Sequence, residues 1–360
     1  MMRVLGRLAL ILAAAALAGA TRAETVGERH LVAQQPTAAL RDADHRPQLR
    51  VTVWYPAVDS ADEQSLDIGP SAKPLFLVGS AAPNAAFVDP RRRPVILFSH
   101  GYGGTARMMG WFTTSLARAG FIVVAVDHPG NNSADKMTAA GAMLFWDRPE
   151  DLRAALAAAK ADPEIAAHMD LRRVGVAGYA TGGFAALAAA GAQVDVDRFV
   201  AFCRAHPADG TCGPQQEFPL SLDDGLKALE APDLAAELIH ARDDHTIPEV
   251  RAAFLIAPAI VQAFTPDSLA RLRLPVAVVL GDADAVIPAH TNGGLVARAI
   301  PGAELKVLSG VGHYDFLSAC TQAAMDTISL CDRLRVSQGG THQAALQMAY
   351  GFFSKTLGLP

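Results

Sequence analysis

A mostly parallel, doubly wound α/β sheet with helices on both faces is the fold this sequence predicts, on three observations. Short β-branched runs alternate with helical stretches along the chain. Several of those runs are continuously apolar, as strands buried on both faces must be. No internal repeat or low-complexity linker divides the chain, so residues 24–360 are expected to form one domain.

Strands are expected over 50–55 (RVTVWY), 94–99 (PVILFS), 121–127 (FIVVAVD), 173–178 (RVGVAG), 252–257 (AAFLIA), 275–280 (PVAVVL) and 304–308 (ELKVL). Helices are expected over 105–119, 149–161, 181–191, 223–241, 266–272, 291–299 and 341–357. Right-handed crossovers between successive parallel strands then place helices on both faces. Residues 57–90, rich in Ala, Pro, Gly and Asp, read as a surface loop with a short strand near Leu75–Val78. Residues 129–148 and 200–222 read as longer irregular insertions. Long loops in a compact domain tend to carry function, and both follow element ends where a site would be capped. They are expected to form a lid or pocket wall.

The first residues set an expectation for compartment. Arg3 and Arg7 precede an apolar run at 8–18, and small residues with Ala-x-Ala type sites follow, ending at Ala20 or Ala23. That is the layout of a cleaved signal peptide over 1–23. The run is well short of the ~20 residues that span a bilayer, so a secreted or periplasmic protein without a stable membrane anchor is expected. Removing the leader removes Arg3, Arg7 and Arg22 and moves the formal charge from −5 to −8. An acidic chain is a poor partner for nucleic acid, whose phosphates need clustered cations. The basic run Arg91-Arg92-Arg93 reads as a solvated loop.

The four cysteines come as two close pairs, Cys203/Cys212 and Cys320/Cys331. Four cysteines allow three pairings, of which the local one is simplest, and an exported protein can keep disulfides. The spacings are not Cys-x-x-Cys and no histidine stands at a ligand-like interval, so no metal is expected.

Four segments should carry chemistry. Arg173–Gly183 (RVGVAGYATGG) reads as a strand, a sharp turn and an Ala-rich helix. Ester hydrolases place a nucleophilic serine in Gly-x-Ser-x-Gly at such a turn, but the frame here is Gly178-Tyr179-Ala180-Thr181-Gly182. Leu97–Gly104 (LFSHGYGG) ends an apolar strand in a His-Gly turn; the N–H of Tyr102, with that of Thr181, could form an oxyanion hole. His100, Gly101, Tyr179 and Trp146 are expected to line a substrate pocket. In Leu280–Pro288 (LGDADAVIP), Asp284 is the carboxylate expected to orient a histidine, with Asp282 as the alternative. In Gly310–Leu317 (GVGHYDFL), His313 follows the last strand where the general base belongs, completing the chain order nucleophile, acid, base. Asp315 is expected to be a supporting or turn residue.

Beyond these motifs, Val53-Trp54-Tyr55-Pro56, Asp127-His128-Pro129-Gly130, Trp146–Asp151 (WDRPED) and Gly312–Leu317 with Cys320 complete a recognisable pattern. From about Val51 to the last helix the chain resembles the α/β-hydrolase branch of platelet-activating-factor acetylhydrolase-like and predicted dienelactone-hydrolase-like proteins. The resemblance implies a serine carboxylic-ester hydrolase fold, a small-molecule ester or lipid-like ligand, and neither metal nor organic cofactor.

Ala180 departs from that pattern. Alanine carries no oxygen to attack with, and losing the nucleophile costs on the order of 10⁶ in turnover in a well-studied protease. The expectation is an ester-hydrolase scaffold for small or medium acyl esters that is inactive as it stands, whether as an engineered knock-out or by natural loss. The alternative is a pseudoenzyme that binds an ester, lipid or peptide without cleaving it.

Overall fold

The computed structural model describes residues 24–359, so the expected leader lies outside the described residues. The described chain opens with two ten-residue strands, β1 (Thr25–Gln34) and β2 (Gln48–Ala57), paired antiparallel over their whole length. The 57–90 loop contains three short strands, β3 (Gln64–Ser65), β4 (Phe76–Leu77) and β5 (Ser80–Pro83). Then come β6 (Arg93–Ser99), β7 (Ile122–Val126), β8 (Met169–Tyr179), β9 (Val250–Ile256), β10 (Val276–Gly281), β11 (Glu304–Leu308) and the two-residue β12 (Ala319–Cys320). The sheet order is β11-β10-β9-β8-β6-β7-β2-β1-β5-β3, and β4 pairs with β12 apart from it. From β7 through β6, β8, β9 and β10 to β11 every pairing is parallel.

The expected strands of the parallel sheet are all present: β6 to β10 carry apolar runs buried on both faces, while β11, at the sheet edge, is largely solvated. Alternate residues of β6 serve opposite faces. Val95 and Leu97 enter one core cluster with Leu152, Phe184 and Val296; Ile96 and Phe98 enter the other with Phe112, Phe353 and Leu357. The helices Arg148–Ala161, Thr181–Ala189 and Gly293–Ala299 thus cover one face, and Gly110–Arg118 with Gln338–Leu357 the other. Strand β1 is absent from the sequence reading: half of it is solvated, so its apolar residues do not form a run.

Three expectations are corrected. Arg93 is not in a solvated loop but opens β6, where it is buried; its guanidinium donates to the Gly120 carbonyl (3.2 Å) and pairs with Asp89 (3.1 Å) and Glu24 (3.4 Å). The stretch 223–241 is two helices, Leu222–Ala228 and Pro232–His240, because Pro232 can start a helix but not continue one. The insertion at 200–222 begins inside a helix, Val196–Ala205, whose Val196, Phe199 and Cys203 are buried on one side.

The cysteines pair locally, Cys203–Cys212 and Cys320–Cys331, with Cα atoms 5.2 and 6.1 Å apart. The first bridge ties that helix to the rest of the insertion, and the second anchors the segment after β12. Among the described residues no helix is long and apolar enough to cross a membrane, and no cluster of side chains could hold a metal ion.

Candidate active site

The turn between β8 and the helix Thr181–Ala189 is strained. Ala180 adopts φ 52°, ψ −116°, a conformation that costs a non-glycine residue on the order of 1–3 kcal/mol. Four backbone hydrogen bonds hold it: Ala180 N–H to Ile256 O (2.9 Å), and the N–H groups of Gly183 (2.8 Å), Phe184 (3.4 Å) and Ala259 (3.0 Å) to Ala180 O. The flanking glycines are there for close approach. A Cβ on Gly178 would fall on the Gly182 carbonyl, and one on Gly182 would fall on the Ser99 carbonyl. The side chain of residue 180 is thereby pushed out of the sheet into a cavity of about 630 Å³.

His313 lines the same cavity. It follows β11 in a glycine turn, and its Nδ1 lies 2.7 Å from Asp284 Oδ2. Asp284 Oδ1 accepts from the N–H groups of Val286 (3.0 Å) and Ile287 (2.7 Å), which fixes the carboxylate. Nδ1 therefore faces the carboxylate as donor, which leaves Nε2 as the nitrogen that could take a proton. Both side chains are largely buried, each residue only 7% exposed. Tyr179 braces the imidazole, with its ring 5.0 Å away and its hydroxyl donating to His313 O (3.0 Å). Asp282 faces elsewhere and accepts from Gly310 N–H (2.6 Å), so the geometry selects Asp284 of the two. Asp315 accepts from the N–H groups of Gly312 (2.7 Å) and Arg335 (3.0 Å), a turn-holding role.

Tyr102 and Thr181 line the cavity on the side of β6, and neither main-chain N–H has a hydrogen-bond partner within the described residues. The loop that carries Tyr102 is held from behind by a buried polar network. Arg148 donates to His100 O (2.6 Å) and to Asn131 Oδ1 (2.9 Å); Asn131 Oδ1 accepts from Gly103 N–H (2.9 Å). His100 Nδ1–H donates to Gly101 O (2.6 Å), and its Nε2 accepts from His128 N–H (3.1 Å). His128 in turn joins Ser99 Oγ (2.8 Å) to Asp151 Oδ2 (2.8 Å), and Arg41 grips Asp151 with two bonds of 2.7 Å. Fixed donors facing the cavity are what an oxyanion requires.

His100, Gly101 and Tyr179 line the cavity as expected, although both His100 nitrogens are already occupied. Gly101 has no room for a side chain, since a Cβ would come 2.8 Å from the Tyr179 ring. Trp146 is a correction. It is fully buried in the core, edge-on to Phe145 at 5.3 Å, and Phe145 lines the cavity in its place. The two residues sit in a single turn and both enter the same core, but of the two only Phe145 reaches the cavity. Both insertions form the cavity wall, through Met137 and Met143 in one and Gln215, Glu217 and Leu220 in the other. The sequence reading missed Asn131 and Glu217. Asn131 had a signal, a polar run directly after a fully buried strand; Glu217, in an irregular insertion, had none.

A main sheet with this strand order and a β-strand–turn–helix site at its centre is the α/β-hydrolase fold. Residues 90–211 match the family model described as Hydrolase_4, serine aminopeptidase S33. The structure is similar to that of a ferulic acid esterase from Streptomyces cinnamoneus, with a TM-score of 0.60 and 19% identity over 95% of this chain and 92% of that one. It also overlaps a puromycin-hydrolyzing peptidase from Mycobacterium tuberculosis, with a TM-score of 0.48 and 15% identity over 92% of this chain and 40% of that one. No curated protein matches the sequence.

Proposed function

We propose that this chain is an exported serine-type carboxylic-ester hydrolase scaffold in which Ala180 stands where the nucleophile belongs. The observation that carries the reading is the His313–Asp284 pair opening onto the cavity that also receives the side chain of a strained residue 180. The resemblance to platelet-activating-factor acetylhydrolase-like proteins and the overlap with an esterase structure support the same class. The two disulfides and the apolar leader support export.

With serine at 180, His313 Nε2 would take the hydroxyl proton as Oγ bonds to the ester carbonyl carbon. The carbonyl oxygen would become an oxyanion held by the N–H groups of Tyr102 and Thr181. The protonated imidazole, stabilised by Asp284, would pass its proton to the departing alkoxide. Water would then release the acid by the same route. Alanine removes the attacking oxygen, and with it the acyl-enzyme, while leaving every other group standing.

Ala180→Ser is therefore expected to raise kcat on p-nitrophenyl acetate and butyrate by about 10⁴–10⁶, and to make the chain react with a fluorophosphonate probe. A revertant that folds yet neither turns over nor labels would end the ester-hydrolase reading. The cavity is fully formed around Ala180, which favours a second reading, a binding protein that holds its ester uncleaved. Hydrolysis by the Ala180 chain that disappears on His313→Ala counts against that reading; thermal stabilisation by an ester that stays intact supports it.

A further inference from the structure

The cavity reaches the cores on both faces of the sheet. Ala180 follows β8, an inner strand, and apolar side chains run away from it in two directions. On one side rings succeed one another from the elbow helix: Phe184 to Phe145 at 5.1 Å, then Phe145 to Phe199 at 6.0 Å. Phe184 is wholly buried, and Phe145 and Phe199 line the cavity with Met143 and Leu222. All of them pack with the core cluster of Val95 and Leu97. On the other side the Tyr179 ring lies 6.4 Å from Phe316, and Leu317, next in the chain, lines the cavity. Ser318 N–H donates to Met108 O (3.2 Å), which holds Met108 beside that turn. Met108 packs with Ile68, Phe76 and Ile328, and all four line the cavity. Leu317, Met108 and Ile68 pack with the opposite core, that of Ile96 and Phe98.

Each arm ends against a segment tied by its own disulfide. Phe199 is carried on the helix that Cys203–Cys212 fastens, and Cys212 lines the cavity. Ile328 lies within the loop that Cys320–Cys331 closes, and Phe76 packs against Cys331. Walls fixed before a ligand arrives lower the ordering cost of binding. The segment 217–218 passes nearer the middle: Phe218 O accepts from the Tyr102 hydroxyl (3.1 Å), and a Cβ on Gly103 would come 2.6 Å from Glu217 Cβ. Glu217, which this segment adds to the lining, therefore sits beside the Tyr102 loop and not at the end of an arm.

We propose that the ligand is an uncharged ester with a hydrocarbon group on both its acyl and its alcohol side, one in each arm, and that Phe199 and Phe76 limit how long each group can be. The proposal rests on reading this cavity as the ester site. A carbonyl held near residue 180 has an apolar arm on either hand, and each methylene moved from water into an arm strengthens binding by about fourfold.

The first test uses the Ala180 chain and two isomeric ketones, 5-nonanone and 2-nonanone, titrated by calorimetry. They have equal hydrocarbon to remove from water and differ only in where the carbonyl divides it. A two-armed cavity should bind 5-nonanone, with a butyl group on each side, at least about fourfold more tightly. Equal binding, tighter binding of 2-nonanone, or binding of neither overturns the proposal.

The second test uses the Ala180→Ser chain with ethyl alkanoates from acetate to octanoate and alkyl acetates from ethyl to octyl, followed by pH-stat. kcat/KM should rise with length in both series before it levels off. Phe199→Ala should extend the preferred length in one series by about two carbons and leave the other within about threefold, and Phe76→Ala should do the same to the opposite series. Phe199→Leu and Phe76→Leu, expected to act in the same direction by about one carbon, serve where the alanine variants do not fold. If folded variants move the same series, or neither, the proposal is overturned. Hydrolysis that ignores alcohol length sinks the two arms and keeps the esterase. No hydrolysis at all, with the preference for 5-nonanone intact and weakened by either substitution, sinks the esterase and keeps the two arms.

Discussion

The molecule contains two arrays that resemble a Ser-His-Asp triad, and only one of them could be an active site. Ser99, His128 and Asp151 have a serine, and their hydrogen bonds are in sequence at 2.8 and 2.8 Å. Residue 180, His313 and Asp284 have the second link at 2.7 Å but an alanine in place of the serine. The complete array is sealed: Ser99 and Asp151 are wholly buried and His128 almost so. Burial, reinforced by the Arg148 charge, lowers the His128 pKa to about 3, so its imidazole is a poor proton acceptor at neutral pH. Ser99 lies within a regular strand, β6, with no strained turn and no cavity before it. The incomplete array has the elbow, the cavity and the free N–H groups. Three hydrogen-bonded residue types do not make a catalytic centre; access, strain and an oxyanion site do.

Four measurements would break or sharpen that contrast, three of them in the Ala180→Ser chain. Asp284→Asn should lower kcat by about 10⁴, because the imidazole loses the partner that fixes its tautomer. Asp282→Asn, altering only a bond to Gly310 N–H, should change kcat by less than about threefold. Equal effects would remove the assignment of Asp284. Next, Arg148→Met should lower kcat by roughly 10–100-fold with KM shifted far less, because it unfastens the carbonyl of His100 and with it the loop that carries the Tyr102 N–H, the proposed oxyanion donor. A purely structural role for Arg148 would instead lower the amount of folded enzyme at unchanged kcat.

A smaller effect is expected at the sealed array. Ser99→Ala should leave fluorophosphonate labelling intact and cost about 1–3 kcal/mol in urea unfolding, since His128 Nε2 loses its partner. Labelling that requires Ser99 would reverse the roles of the two arrays. The smallest effect is on pH dependence. His342 is stacked on Trp111 at 3.8 Å, and burial lowers its pKa to about 4 from 6.5. Between those values the unfolded chain binds more protons than the folded one, so stability rises with pH through this window. His342→Gln keeps the donor to Leu317 O and should flatten the pH 4–6.5 slope of the urea midpoint. An unchanged slope would show that His342 charges freely in the folded protein.

The inner parallel strands were legible because each carries an apolar run, and the elbow because glycines 178, 182 and 183 leave room that no other residue could. His313 and Asp284 were legible from their order along the chain. Strand β1 was not, since a half-solvated strand mixes polar and apolar residues without a run. Trp146 was misassigned because a motif states which residue is near a site and not which way its ring points. Glu217 escaped because its place in the cavity wall is set by packing, not by its neighbours along the chain.

The sequence by itself determined the layered sheet, the local cysteine pairing as the simplest choice, and the absence of a hydroxyl at residue 180. Only the tertiary structure decided between Asp284 and Asp282, turned Trp146 into the core and Glu217 into the cavity, and sealed Ser99 beneath the site. Periodicity and turn chemistry are local and can be read along the chain. Burial and side-chain direction arise between segments distant along the chain, and come into being only when the chain is packed.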